Sequence, residues 1–141
     1  MKAGRDYIGV GLGALILNKK NEVLLTKRGR NAKNECGAWA LVGGALDFGE
    51  TLEQGITREV FEEINVKIKI EKQIPSYDHI LKNENQHWVA TVFIAHITKG
   101  TPKIMEEDKC EKIEWFPINK LPSPIAQMSK PALEYLKKNI K

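Results

Sequence analysis

Apolar and polar positions alternate along this chain in a way that sets out strands around one amphipathic helix. Ile8 to Leu17 is almost continuously apolar and reads as a buried first strand. A polar turn at Asn18–Asn21 leads to a second apolar run, Glu22–Lys27, so the two runs suggest a hairpin. Gly29 to Gly37 is a polar loop, and Trp39 to Val42 is a short strand that runs into a glycine-rich segment. From Leu52 the period changes. Leu52, Ile56, Val60 and Ile64 recur every fourth residue, one face of a helix made to pack on a sheet. Thr51 and Gln54 have capping-box spacing and place the start of this helix at Leu52. Asn65, a residue that tolerates the left-handed conformation, marks its end.

Beyond the helix, alternation returns. Residues 66–70 read as a strand with one wet face, residues 74–80 continue or pair with it, and Trp88 to Ile97 is a strong strand. Residues 106–112 read as irregular and residues 113–116 as a short strand. Pro131 to Ile140 forms a final helix, with Ser129 as its expected cap. Strands, a helix, more strands and a terminal helix imply an α/β or α+β chain with a mixed sheet between helices.

The polar face of the first helix changes the picture most. Glu59 lies three residues from Glu62 and four from Glu63, so all three share a face, and Arg58 stands four residues before Glu62. A fourth acid, Glu50, sits where a loop containing Gly43, Gly44 and Gly49 meets the helix. Carboxylates this dense repel one another unless a cation sits among them, and hard divalent cations such as Mg²⁺ take oxygen ligands and bridge to phosphates. A merely solvated acidic helix is the plain alternative, but it has no need of a glycine entrance that brings backbone close to the carboxylates.

Gly44, Glu50, Arg58, Glu59, Val60, Glu62, Glu63 and Val66 fall in register with G-x5-E-x7-R-E-U-x-E-E-x-G-U, where U is a bulky apolar residue, and this stretch resembles the Nudix box. Two positions depart from the family pattern. Asn65 stands where the box has glycine, and Val42 stands where many members have proline before Gly43-Gly44. The resemblance implies an α/β fold, a Nudix-type α/β/α sandwich with a mixed β-sheet, and a single domain over residues 1–141. It also implies Mg²⁺-dependent hydrolysis of a nucleoside diphosphate linked to another group, with Mn²⁺ as an alternative metal. The expected reaction is that of MutT-like enzymes, a nucleoside triphosphate cut to monophosphate and pyrophosphate. ADP-ribose or another dinucleotide is the alternative substrate, and a non-catalytic nucleotide-binding module is the alternative of another class.

Carried over residue by residue, the resemblance makes Glu59 and Glu63 direct metal ligands, and Glu62 a third ligand or the base that activates water. Glu50 and Arg58 support the catalytic cluster, and the Gly43 carbonyl is a further ligand. Arg28 matches a position where relatives place a basic residue near the substrate, and Gly44 lies against the substrate. Some members take one more acid from a distal loop. Here Glu106, Glu107, Asp108 and Glu111 offer one, although each reads more simply as part of a solvated loop. Tyr77, His87, Trp88 and Phe93 are the aromatic side chains that could stack on a base, His87 foremost. His79 and His96 read as structural or surface residues, and Trp115 and Phe116 as core or subunit contact.

Composition narrows the partners. A chain of 141 residues can bury a real core, and no apolar run approaches the length of a membrane span. The net charge of +4 comes from scattered lysines without a basic stripe, which favours a small polyanion over a nucleic-acid polymer. Cys36 and Cys110 show no metal spacing and read as free thiols, consistent with a cytoplasmic protein. A homodimer is open, since relatives are often dimers and nothing in the periodicity requires one.

Overall fold

The computed structural model describes residues 1–140. Eight strands and two α-helices run in the order β1 (Gly9–Ile16), β2 (Glu22–Arg28), β3 (Trp39–Ala40), β4 (Val42–Ala45), α1 (Leu52–Ile64), β5 (Lys67–Gln73), β6 (Tyr77–Leu81), β7 (Gln86–Lys99), β8 (Cys110–Pro117) and α2 (Lys130–Asn139). The strands divide between two sheets. The larger has the order β4-β1-β7-β5, with β6 also pairing with β7, and the smaller has the order β3-β2-β8. The larger sheet is mixed, because β1 and β7 run parallel while β4, β5 and β6 pair antiparallel.

The alternation seen in the sequence serves two cores. Along β1, Leu12, Ala14 and Ile16 belong to the cluster that contains Ile56, Val60 and Ile64 of α1. Leu15 between them belongs to the other cluster, with Ala132, Leu133 and Leu136 of α2. β7 divides in the same way, Phe93 toward α1 and its neighbours Val92 and Ile94 toward α2. Successive side chains of a strand point to opposite faces, so a helix covers each face and the layers are α/β/α, as expected.

Helix α1 begins and ends where its sequence indicates. Thr51 Oγ1 accepts the Gln54 backbone N–H at 3.1 Å and the Gln54 side chain accepts the Thr51 N–H at 2.9 Å, a complete capping box. Asn65 sits at the C-terminal cap in the left-handed region, φ 58° and ψ 39°, and its N–H donates to Phe61 O. Asparagine therefore does here what glycine would do at the off-pattern position.

Four expectations change. β1 and β2 are not a paired hairpin: beyond one bridge, Leu17 to Val23, they part into separate sheets, and β2 takes β8 as its partner. β8 begins at Cys110, so residues 110–112, expected to be irregular, extend the ladder with β2. Residues 74–80 divide between a connection and β6, which pairs with β7 and not with β5. Ser129 occupies the cap position of α2 but makes no side-chain capping bond; its buried hydroxyl accepts the Leu41 N–H at 3.0 Å and ties the start of α2 to the β3–β4 junction.

The contrast between the two faces of α1 is testable. Ile56 is fully buried whereas Phe61 is half-exposed on the same helix. Ile56→Ala should cost about 2–5 kcal/mol and Phe61→Ala less than about 1 kcal/mol in urea unfolding. Equal losses at the two positions would mean that α1 does not dock through the stripe described here.

Candidate active site

Arg58 organises the acidic face. Its Nε donates to Glu50 Oε2 at 2.6 Å and its Nη2 to Glu50 Oε1 at 2.9 Å, a bidentate grip. Nη1 donates to Glu59 at 2.8 Å and to Glu62 at 3.0 Å, and Nη2 also reaches the Ala45 carbonyl at 3.1 Å. Asp47, which the sequence did not single out, adds a fifth partner at 3.4 Å. This crowd of acceptors, Glu50 first, raises the pKa of Arg58 further above its ordinary value. The same bond, aided by the Asp47 backbone N–H, holds the Glu50 carboxyl below the usual carboxylate range.

Glu59 and Glu63 differ from Glu50. Burial raises the pKa of Glu59, against the pull of Arg58. Burial also pushes Glu63 up to about 8, helped by the nearby charges of Glu59 and Glu106, while the Gly43 backbone and Arg28 pull the other way. Glu106 reaches this neighbourhood because the segment after β7 folds along the end of α1, with Lys103 N–H on Ile64 O and Met105 N–H on Glu63 O. Glu106 is thus close enough for its charge to be felt at Glu63, while its own carboxylate stays partly exposed and pairs with Lys109 at 3.1 Å.

The convergence expected of Glu59, Glu62 and Glu63 is met in part. Arg58 gathers Glu50, Glu59 and Glu62, and Glu63 lies toward Gly43. Among the described residues no three His, Cys, Asp or Glu side chains stand together as a ready metal cage. The donor set nevertheless fits a hard divalent cation. Two half-buried carboxylates four residues apart, both held at raised pKa by burial, are the groups whose charge such an ion would relieve. Gly44 leaves the approach open, since a Cβ there would fall 2.4 Å from the Glu59 carboxylate. Glu59 and Glu63 would hold the ion, with the Gly43 carbonyl, Glu62 and Glu106 at hand.

On the other side of β4 lies a cavity of about 460 Å³. Gly43 and Gly44 line it, so one short strand separates the cavity from the glutamates of α1. Its lining includes Tyr77, His79, Leu81, Trp88 and Met128 together with the polar side chains of Arg28, Lys33, Asn34 and Glu35. Of the aromatic side chains considered for stacking, Trp88 and Tyr77 line the cavity, and Phe93 belongs to the core against α1.

His87 does not join them. Gln86, Trp88, Ala90 and Val92 line the cavity, and the two-residue period of β7 turns His87 to the opposite face. There it meets Asp78 at 3.1 Å beside a separate depression formed with Gly4–Ile8. His79, opposite Trp88 on β6, faces the cavity instead. The alternation Tyr77, His79, Leu81 carried that signal. Met128 and Ser129 also line the cavity and gave none. His96 pairs with Glu71 on the surface, and Trp115 and Phe116 pack on the two cores.

A family model described as the NUDIX domain matches residues 8–137. The crystal structure of a MutT NUDIX hydrolase from Burkholderia pseudomallei superposes with a TM-score of 0.85 at 36% identity, over 92% of this chain and 98% of that one. The ADP-ribose pyrophosphatase of Methanocaldococcus jannaschii is 30% identical over 122 residues, 86% of this chain and 70% of that protein. The human 8-oxo-dGDP phosphatase NUDT18 is 33% identical over 115 residues, 79% of this chain but only 33% of that protein, so the chain spans about a third of the length of that relative. The chain belongs to the NUDIX family of hydrolases, whose substrates are nucleoside diphosphates linked to a further group and which generally use divalent metal ions. No helix of the described residues is long and apolar enough to cross a membrane.

Glu63 gives the fold a pH signature. Its carboxyl keeps a proton in the metal-free fold up to about pH 8 but loses it near its ordinary value of 4.5 once unfolded. The unfolded chain therefore ionises first, and stability present below about pH 4.5 is lost as the pH rises toward 8. In chelator, Glu63→Gln should flatten that part of the stability–pH curve; identical slopes in variant and wild type would refute the burial of this carboxyl.

Proposed function

We propose that the chain hydrolyses a nucleoside triphosphate to the monophosphate and pyrophosphate, using Mg²⁺ or Mn²⁺. The observation that supports this reading best is the position of β4, with a nucleotide-sized cavity on one side and the Arg58-centred carboxylates on the other. A base and sugar in the cavity would lead their phosphates past Gly43 and Gly44 onto the acidic face. Glu59 and Glu63 would hold the divalent ion, which would supply charge neutralisation at the phosphate and make a nearby water easier to deprotonate. Arg28 and Lys33 supply positive charge to the lining of the cavity.

The remaining roles follow from how far each side chain is committed. Glu50 spends its carboxylate on Arg58 and the Asp47 N–H, so it orients the cluster and does not act on substrate. Glu62 is exposed and makes a single bond to Arg58, which leaves it free to take the proton of an attacking water. The water oxygen then bonds to phosphorus, the anhydride P–O bond breaks, and pyrophosphate departs with the bond electrons. The small molecule is thus the partner, in a cytoplasmic setting, with no polymer or membrane required.

The Methanocaldococcus relative favours a second reading, in which ADP-ribose enters the same cavity and is cut at its diphosphate. A panel assay separates the two. Each ordinary and oxidised nucleoside di- and triphosphate, ADP-ribose and NADH are incubated with Mg²⁺, and pyrophosphate is scored against orthophosphate and sugar phosphate. Pyrophosphate from triphosphates is the expected outcome; turnover confined to ADP-ribose would replace it with the second reading, and no turnover would leave a binding module. Glu59→Gln and Glu63→Gln should each lower kcat by about a hundredfold or more. Unchanged turnover in Glu63→Gln would remove the metal role assigned to it.

A further inference from the structure

Arg28 is held in an unusual way for a partly buried cation. Among the described residues no carboxylate forms a salt bridge with it. Its guanidinium is fixed instead by one neutral residue: Nε donates to the Asn34 carbonyl at 2.9 Å and Nη2 to Asn34 Oδ1 at 2.9 Å. Arginine carries five N–H donors, so these two bonds leave three unspent, and the side chain lines the cavity together with Gly43 and Gly44. An aspartate at position 34 would grip the guanidinium at least as well but would cancel its charge. An amide fixes the geometry and leaves the charge available.

The loop that carries Asn34 is itself braced. Its first and last glycines are tied down by Gly29 N–H on Lys109 O and Gly37 N–H on Arg28 O. Glu35, next to Asn34, accepts the Gln127 N–H at 3.0 Å from across the chain. Asn34 therefore has a defined place from which to direct a long side chain that would otherwise lose rotamer freedom on binding an anion.

We infer that Asn34 is a positioning residue that presents Arg28, fully charged and pre-aimed, to the polyphosphate of the substrate. This rests on the reading of the cavity as the nucleotide site. Asn34 makes no contact with the carboxylates of α1, so its effect falls on phosphate affinity and KM and far less on kcat. It also makes its removal and its replacement by aspartate converge, one by loosening the cation and the other by neutralising it.

Equilibrium binding of inorganic tripolyphosphate in Mg²⁺, measured by calorimetry, tests this without relying on turnover, and KM is added for any nucleotide the wild type hydrolyses. Asn34→Ala and Asn34→Asp should each weaken tripolyphosphate about tenfold, the loss expected for one charge-assisted contact. In an Arg28→Ala background neither change should matter further. A role confined to holding the loop would spare Asn34→Asp, which keeps the acceptor, and would persist without Arg28; either result overturns the proposal. Wild-type protein that binds no tripolyphosphate also overturns it. Normal nucleotide hydrolysis with no effect of the Asn34 variants would sink this inference alone and leave the proposed reaction standing.

Discussion

One guanidinium makes the acidic face of this protein tolerable. Like charges about 4 Å apart repel by roughly 1 kcal/mol in water and about 4 kcal/mol at the effective dielectric of a protein surface. Glu59 feels the charges of Glu62 and Asp47, and Arg58 opposes them. Arg58 sits among Glu50, Glu59 and Glu62, bidentate on the first and bridging the other two. It also binds the Ala45 carbonyl, so the end of β4, the connecting loop and α1 are fixed to one another through a single side chain. Glu63 is the acid it does not reach, and that is the carboxyl whose proton is hardest to remove.

Geometry around β4 follows from this anchor. A Cβ on Gly43 would strike the Leu12 backbone oxygen at 1.9 Å, so that position must be glycine, and one on Gly44 would displace the Glu59 carboxylate. The adjacency of cavity and carboxylates thus has a thin wall as its physical basis. Any side chain there would push β1 from β4 or displace Glu59 from Arg58.

Much of this was legible in the residues, and what was not has a definite cause. The capping box, the apolar stripe of α1 and the left-handed Asn65 are local features, written in residues a few positions apart. The carboxylate cluster was legible for the same reason, since helical spacing alone puts its members on one face. Arg58 could be placed beside Glu62 but not at the centre, because its bond to Glu50 depends on how the preceding loop turns. The division into two sheets was hidden: the apolar runs of β1 and β2 are indistinguishable from those of a paired hairpin, and only the distant β8 draws β2 away. Alternation grouped Tyr77 with His79 and Leu81, but which face of β6 and β7 meets the cavity is set by packing. The preference for His87 among the aromatic side chains therefore had no means of seeing that His87 turns away from the cavity. Met128 and Ser129 reach the cavity across nearly ninety residues from β3 and β4, a proximity that tertiary packing alone creates.

The parting of β1 and β2 also bears on how the chain reaches this state. β1 completes its ladder only with β7, and β2 only with β8, both in the last part of the sequence. These two early strands are thus satisfied only after much of the domain has been made. Until the later ones emerge, Val23, Leu24 and Leu25 stand on a strand with open edges, the arrangement that slows folding and invites association with other chains. The turn at Asn18–Asn21 between them, where Asn18 Oδ1 accepts the Lys20 and Glu22 N–H groups, joins the two runs only at its mouth, through the Leu17–Val23 bridge. During synthesis β1 and β2 thus stay unprotected until the strands that follow them, β7 and β8, have been made.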